Sequence, residues 1–91
     1  MTVNLQTDEY KVWYEPELAV VKLHGYLRLP SLQAYQPLLN LLFDALAQSP
    51  QLTLDLRELE FLNSSGISML SMFIVTVRNQ HETQLLLQGS N

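Results

Sequence analysis

The chain reads as one α/β domain of order β-β-α-β-α-β, with both helices on one face of a mixed, mostly parallel sheet. Three observations predict this. Leu52, Leu54 and Leu56 alternate with Thr53 and Asp55, the two-residue period of a strand with one face in a core. Ile67, Leu70, Ile74 and Val77 then recur at helical spacing. An apolar stripe of the same period, Leu32, Tyr35, Leu38/Leu39, Leu42 and Leu46, precedes that strand. Right-handed crossovers between neighbouring parallel strands place successive helices on one side of a sheet. Thr53 and Asp55 agree, because a parallel strand covered on both faces would be apolar throughout.

Taken in order, residues 1–9 are mostly polar, and the Val3/Leu5 alternation reads as a frayed strand or an arm. Residues 10–91 form the single domain. Tyr10 to Glu15 and Leu18 to His24 are rich in β-branched and aromatic residues and flank Pro16-Glu17, so they predict an antiparallel hairpin. Gly25 to Pro30 reads as a connection. The first helix runs from Ser31, its N-cap, to Gln48. Pro37 lies too deep for a regular start there, which predicts a loose first turn and a clean helix from about residue 35. Ser49-Pro50 ends it. A third strand over 52–56, a short connection, a second helix over 64–80 and a last strand over Thr83 to Gln88 complete the order.

Composition narrows the function classes. Ninety-one residues suit one small domain, 47% apolar and 15% charged, which excludes disorder. Five basic and nine acidic residues give a net charge of −4 without a basic cluster, so no nucleic-acid partner is expected. The chain contains no cysteine. It has no apolar run of membrane-spanning length and no signal pattern, so a cytoplasmic protein with no membrane partner is expected. His24 and His81 are isolated and lack a second ligand at metal spacing; no metal and no cofactor are assigned. No nucleophile elbow, phosphate loop or dinucleotide turn is present, and the reading is non-catalytic.

The chemistry concentrates at Asn63-Ser64-Ser65-Gly66, between the third strand and the second helix. Asn and Ser are preferred N-caps, since their side-chain oxygens accept from first-turn N–H groups. With Asn63 as cap, Ser64 takes the first helical position with its hydroxyl free, while Gly66 permits close approach of another backbone. Hydroxyls placed beyond the C-terminal end of a strand in an open α/β sheet sit where such sheets present functional groups. Met69, Met72, Phe73 and Val75 add apolar surface to the second helix and read either as core under a wide stripe or as a docking face. Asp55, Glu58 and Glu60 read as a solvated face, and Trp13 as packed on the sheet.

The stretch Phe61-Leu62-Asn63-Ser64-Ser65-Gly66-Ile67-Ser68-Met69-Leu70 resembles the signature of STAS domains, the bacterial anti-sigma factor antagonists. The resemblance implies a STAS-like fold and a partner-switching role in transcription regulation. In that family an unphosphorylated domain captures a serine kinase that doubles as an anti-sigma factor, and phosphorylation releases it. The matching phosphorylated position is Ser64. The implied partner surface is Asn63, Ser64, Ser65, Gly66, Met69, Met72 and Phe73, with Arg28 alongside. Two positions depart from the family: Asn63 replaces the acidic residue before the serine, and Gly25-Tyr26-Leu27-Arg28 replaces a Gly-Glu-Leu-Asp sequence. Arg28 would then pair with a phosphate on Ser64 or a carboxylate on a partner. The family also continues with a further helix beyond the last strand, so this version reads as shortened, with a homodimer as one way of covering the exposed part. Two alternatives fit the same residues: a STAS scaffold or adaptor that is never phosphorylated, and, more remotely, a small serine hydrolase using Ser64.

Overall fold

A computed structural model describes residues 4–80 and 83–89. His81 and Val3 lie outside the described residues, as do the last two positions of the chain. The elements are β1 (Asn4–Gln6), β2 (Tyr10–Glu15), β3 (Val20–Leu27), a 3₁₀ turn (Gln33–Tyr35), α1 (Gln36–Gln48), β4 (Gln51–Asp55), β5 (Leu59–Leu62), α2 (Ser64–Arg78) and β6 (Gln84–Gln88). The six strands make one mixed sheet in the order β1-β2-β3-β4-β6, with β5 also paired to β3. β2 runs antiparallel to both β1 and β3, while β4 and β5 pair parallel to β3 and β6 pairs parallel to β4.

The core is one cluster. Val12 and Tyr14 of β2, Val21 and Leu23 of β3, and Leu52 and Leu54 of β4 turn the same face toward the buried leucines of α1 and toward Met69, Leu70, Phe73 and Val77 of α2. Alternation along each strand selects these positions, and registers such as Val12↔Leu23 and Val21↔Leu54 bring them together. The opposite face carries Lys11, Trp13, Lys22 and His24, all half-buried. Trp13 meets the His24 ring edge-on at 4.7 Å, lies under the Lys11 ammonium at 4.6 Å and donates from Nε1 to Glu15 at 2.8 Å. It is packed on the sheet, as expected.

Several sequence expectations are corrected. Asn4–Gln6 is a paired strand, held by the Leu5↔Val12 register. The hairpin loop has four residues, Pro16 to Ala19, with Ala19 at φ 55°. A four-residue loop accepts Pro16 at the first central position of its turn, where a two-residue loop would not. The connection expected over 25–30 is strand as far as Leu27. The segment after β4 is also strand: β5 pairs with Gly25 to Leu27 after a shift in register at Gly25/Tyr26. Gly25 makes that shift possible. Its φ is +93°, its N–H donates to the Glu58 carbonyl at 3.0 Å, and a Cβ there would collide with the Glu9 carbonyl.

α1 follows the sequence reading closely. Ser31 Oγ accepts from the Ala34 N–H at 3.1 Å, a 3₁₀ turn follows, and the α-helix starts at Gln36 with Pro37 in its first turn. Among the described residues no helix is long and apolar enough to cross a membrane.

Candidate functional site

Asn63 organises the junction between β5 and α2. Its N–H continues the sheet by donating to the Leu27 carbonyl at 3.0 Å. Its side-chain Oδ1 caps α2 by accepting from the Gly66 N–H at 2.9 Å, and also accepts from the Tyr35 hydroxyl at 2.8 Å. Its Nδ2 donates to the Leu29 carbonyl at 2.8 Å. Tyr35 is fully buried, and its hydroxyl in turn accepts from the Leu29 N–H at 3.3 Å. Burial pushes the Tyr35 hydroxyl above its ordinary pKa, so it stays a neutral donor. The cap is therefore wired to the segment after β3 and to the start of α1.

This network gives a physical reason for asparagine where the resembled family has an acid. An ionised aspartate would keep the cap and accept from Tyr35, but could offer nothing to the Leu29 carbonyl except a repelling oxygen. Gly66 is required by the same geometry. A Cβ there would collide with a methyl of Leu62 and come within 2.8 Å of the Tyr35 hydroxyl. The close approach at Gly66 is made by side chains of this chain and not, as read from sequence, by another backbone.

The next residue faces the other way. Ser64 is exposed at the first position of α2, and no side-chain hydrogen bond to it is found among the described residues. Ser65 is half-buried. No acidic residue occupies the first turn of α2, so its N-terminal N–H groups and the positive end of its dipole are not offset by a local carboxylate.

The buried stripe of α2 is Gly66, Met69, Leu70, Phe73 and Val77. That is a correction in both directions. Met69 and Phe73, read as possible partner contacts, are fully buried, with Phe73 edge-on to Phe43 at 5.0 Å, and they cannot touch a partner. Ile67, read as core, is 54% exposed, beside Met72 at 47% and Val75 at 58%. Docking of Gly66 against Leu62 and Tyr35 turns the helix so that this face points outward. No charged residue lies between Glu60 and Arg78, so the outward face combines Ile67, Met72 and Val75 with the hydroxyls of Ser64, Ser68 and Ser71 and carries no charge.

Arg28, just past β3, and Arg57, between β4 and β5, are both engaged. Arg28 donates to Glu9 at 2.6 Å and lies over the Tyr26 ring at 5.4 Å, which holds the Glu9 carboxyl below its ordinary pKa. A phosphate on Ser64 would have to compete with Glu9 for it. Arg57 grips Asp55 through Nε at 3.0 Å and Nη2 at 2.8 Å, while its backbone N–H donates to Asp55 Oδ1 at 3.1 Å. Asp55, expected on a solvated face, is buried, and Arg57 holds its carboxyl down at about 2. The resulting turn separates β4 from β5. Glu58 and Glu60 are exposed, as expected.

Sequence reasoning missed Tyr35, Leu29 and Leu62 as parts of the site. Tyr35 carried one signal, an aromatic hydroxyl on the apolar stripe of α1, which needs a partner when buried. No protein-family model matches the chain, and no curated protein matches it in sequence.

Proposed function

We propose that this chain is a STAS-like regulatory domain, a non-catalytic switch that resembles anti-sigma factor antagonists and binds a serine kinase or anti-sigma factor under control of Ser64 phosphorylation. The observation that carries the reading is the exposed Ser64 hydroxyl at the first position of α2, at one end of a solvent-facing helix surface with no charge. Such a surface can desolvate cheaply against a partner, because burying it strands no ion. A phosphate on Ser64 would be tolerated by the domain, since it faces the first-turn N–H groups and the positive end of the helix dipole. It would add roughly −1.5 to −2 charges at the edge of the contact. Release then follows from repulsion and desolvation at the interface, with the fold unchanged.

A second reading, a scaffold or adaptor domain that never takes phosphate, is favoured by one observation. Asn63, where the resembled family has an acid, is turned inward, and Arg28, where it has a second carboxylate, is held by Glu9. Phosphate incorporation separates the two. The purified chain is incubated with ATP and an extract of its native cells, and its intact mass is measured. The switch predicts one phosphate on wild type and on Ser65→Ala, and none on Ser64→Ala. A phosphate that survives Ser64→Ala contradicts the site. No incorporation in wild type favours the scaffold.

A further inference from the structure

The two ends of the sheet differ. β1 ends it with three residues and a single leucine, a short edge of the kind that resists further pairing. β6 ends it with Gln84-Leu85-Leu86-Leu87-Gln88, five residues in unbroken register with β4 and bordered by uncharged Thr83 and Gly89. Leu86 is 61% exposed and Leu87 45%. Among the described residues β6 pairs with β4 alone. The edge is unbroken and apolar at its centre, and it has neither the proline nor the charge that guards natural edges.

The backbone directions are readable. The Gln84 N–H donates toward β4, to the Pro50 carbonyl at 2.6 Å, and the Gln88 carbonyl accepts from the Leu56 N–H at 2.7 Å on the same side. Backbone groups alternate sides along a strand, so those of Leu85 and Leu87 point to the open edge.

We infer that β6 is a self-pairing edge, joining two copies of this chain as an antiparallel, two-fold symmetric dimer centred on Leu86. The sequence of β6 reads the same in both directions. A two-fold axis at Leu86 sets Leu85 opposite Leu87 of the second copy, Gln84 opposite Gln88 and Leu86 opposite itself. Leu85 and Leu87, whose N–H and C=O groups are the outward ones, then exchange hydrogen bonds as a pair, while Leu86 forms the closer, non-hydrogen-bonded pair. Apolar side chains meet apolar ones, amides meet amides, and no like charges are opposed although each chain carries −4. On the helical side, the groove between α2 and β6, lined by Ile74, Val77, Leu85 and Leu87, lies beside the joined edge and would be covered by the same contact. An isologous pairing of this kind closes on itself instead of growing into a fibre. It draws on β6 and the C-terminal half of α2, and so leaves the Ser64 end free for the reading above.

The test is sedimentation velocity on the full chain from low to high micromolar concentration. Wild type is expected to pass from monomer to dimer. Leu86→Lys and Leu86→Glu each place like charges opposite one another on an exposed position and should weaken the dimer by about tenfold or more. An equimolar mixture of the two should restore it, because only Leu86 faces itself. Leu86→Cys supplies the sole thiol of the chain and should oxidise to a covalent dimer; Gln84→Cys, set well off the axis, should not. A wild-type monomer at high micromolar concentration overturns the inference. So does a dimer that both charge variants leave intact, or one that cross-links through Gln84→Cys in preference to Leu86→Cys.

Discussion

Asn63 and Ser64 are neighbours in the chain and face opposite environments. The side chain of Asn63 is used up internally, its oxygen shared by Tyr35 and the Gly66 N–H and its nitrogen given to Leu29. Ser64 is exposed, on a helix face without charge. The difference shows how a small domain holds an exposed hydroxyl still without burying it. Rigidity comes from residues 63 and 66, which lock the helix start to two distant segments. Availability comes from residues 64, 67 and 72, which contribute nothing to the lock. Substitutions on the two sides should therefore have separable consequences.

The largest effect is expected for Asn63→Ala. It removes an N-cap worth about 1 kcal/mol and leaves the buried Tyr35 hydroxyl without its acceptor, a further ~1–3 kcal/mol. Chemical denaturation should show a total loss of about 2–4 kcal/mol. Asn63→Asp keeps both acceptor roles and fails only at Leu29, so its loss should be smaller, about 1–3 kcal/mol. Equal losses in the two variants would break the assignment of the amide nitrogen to Leu29.

Gly66→Val should come next, at about 1–3 kcal/mol, as overpacking against Leu62 and Tyr35. If the same substitution proved neutral, the close approach that turns α2 would not exist.

Smaller again is the acid limb set by Asp55. Its carboxyl is held at about 2 by Arg57, against an ordinary 3.8. A lowered folded-state value means that the pair's stabilisation is fully present above about pH 4 and is lost as pH falls toward about 2. Arg57 is more than half exposed, so solvent screens the pair and the contribution is modest. Asp55→Asn should flatten that part of the stability–pH curve, and an unchanged curve would sharpen the contrast by removing Asp55 from the account.

Smallest in stability is Met72→Glu, expected within about 0.5 kcal/mol of wild type because the side chain is outside the core. A clear loss of stability there would mean that the outward face is structural after all.

Much of this was legible in the sequence, and the failures share a cause. Asn63 as cap, Ser64 as first helical residue and the delayed start of α1 at Pro37 are local consequences of side-chain chemistry, and all three are present. β5 was missed because its pairing depends on a register shift at Gly25, some 34 residues before its first residue. The orientation of α2 was misjudged by about one residue. From Ile67 to Val77 the polar positions are Ser68, Ser71 and Thr76, which barely bias the face, so Ile67-Leu70-Ile74-Val77 and Met69-Leu70-Phe73-Val77 are both good helical stripes. Gly66 decides between them by docking on Leu62 and Tyr35, and a glycine adds nothing to an apolar count. The inward amide of Asn63 escaped notice because Leu29 and Tyr35 are remote in sequence, even though they are adjacent in space.

The separation of the two sides is tested most directly by Ser64→Asp, measured at once for thermal stability and for the capture from native extract of the protein partner that the proposed switch requires. The account predicts an unchanged melting temperature together with a binding loss of about 2–5 kcal/mol, roughly thirtyfold or more, as expected for an unpaired charge in a desolvated contact. A variant that binds as tightly as wild type, or one that loses binding only because it unfolds, would contradict it.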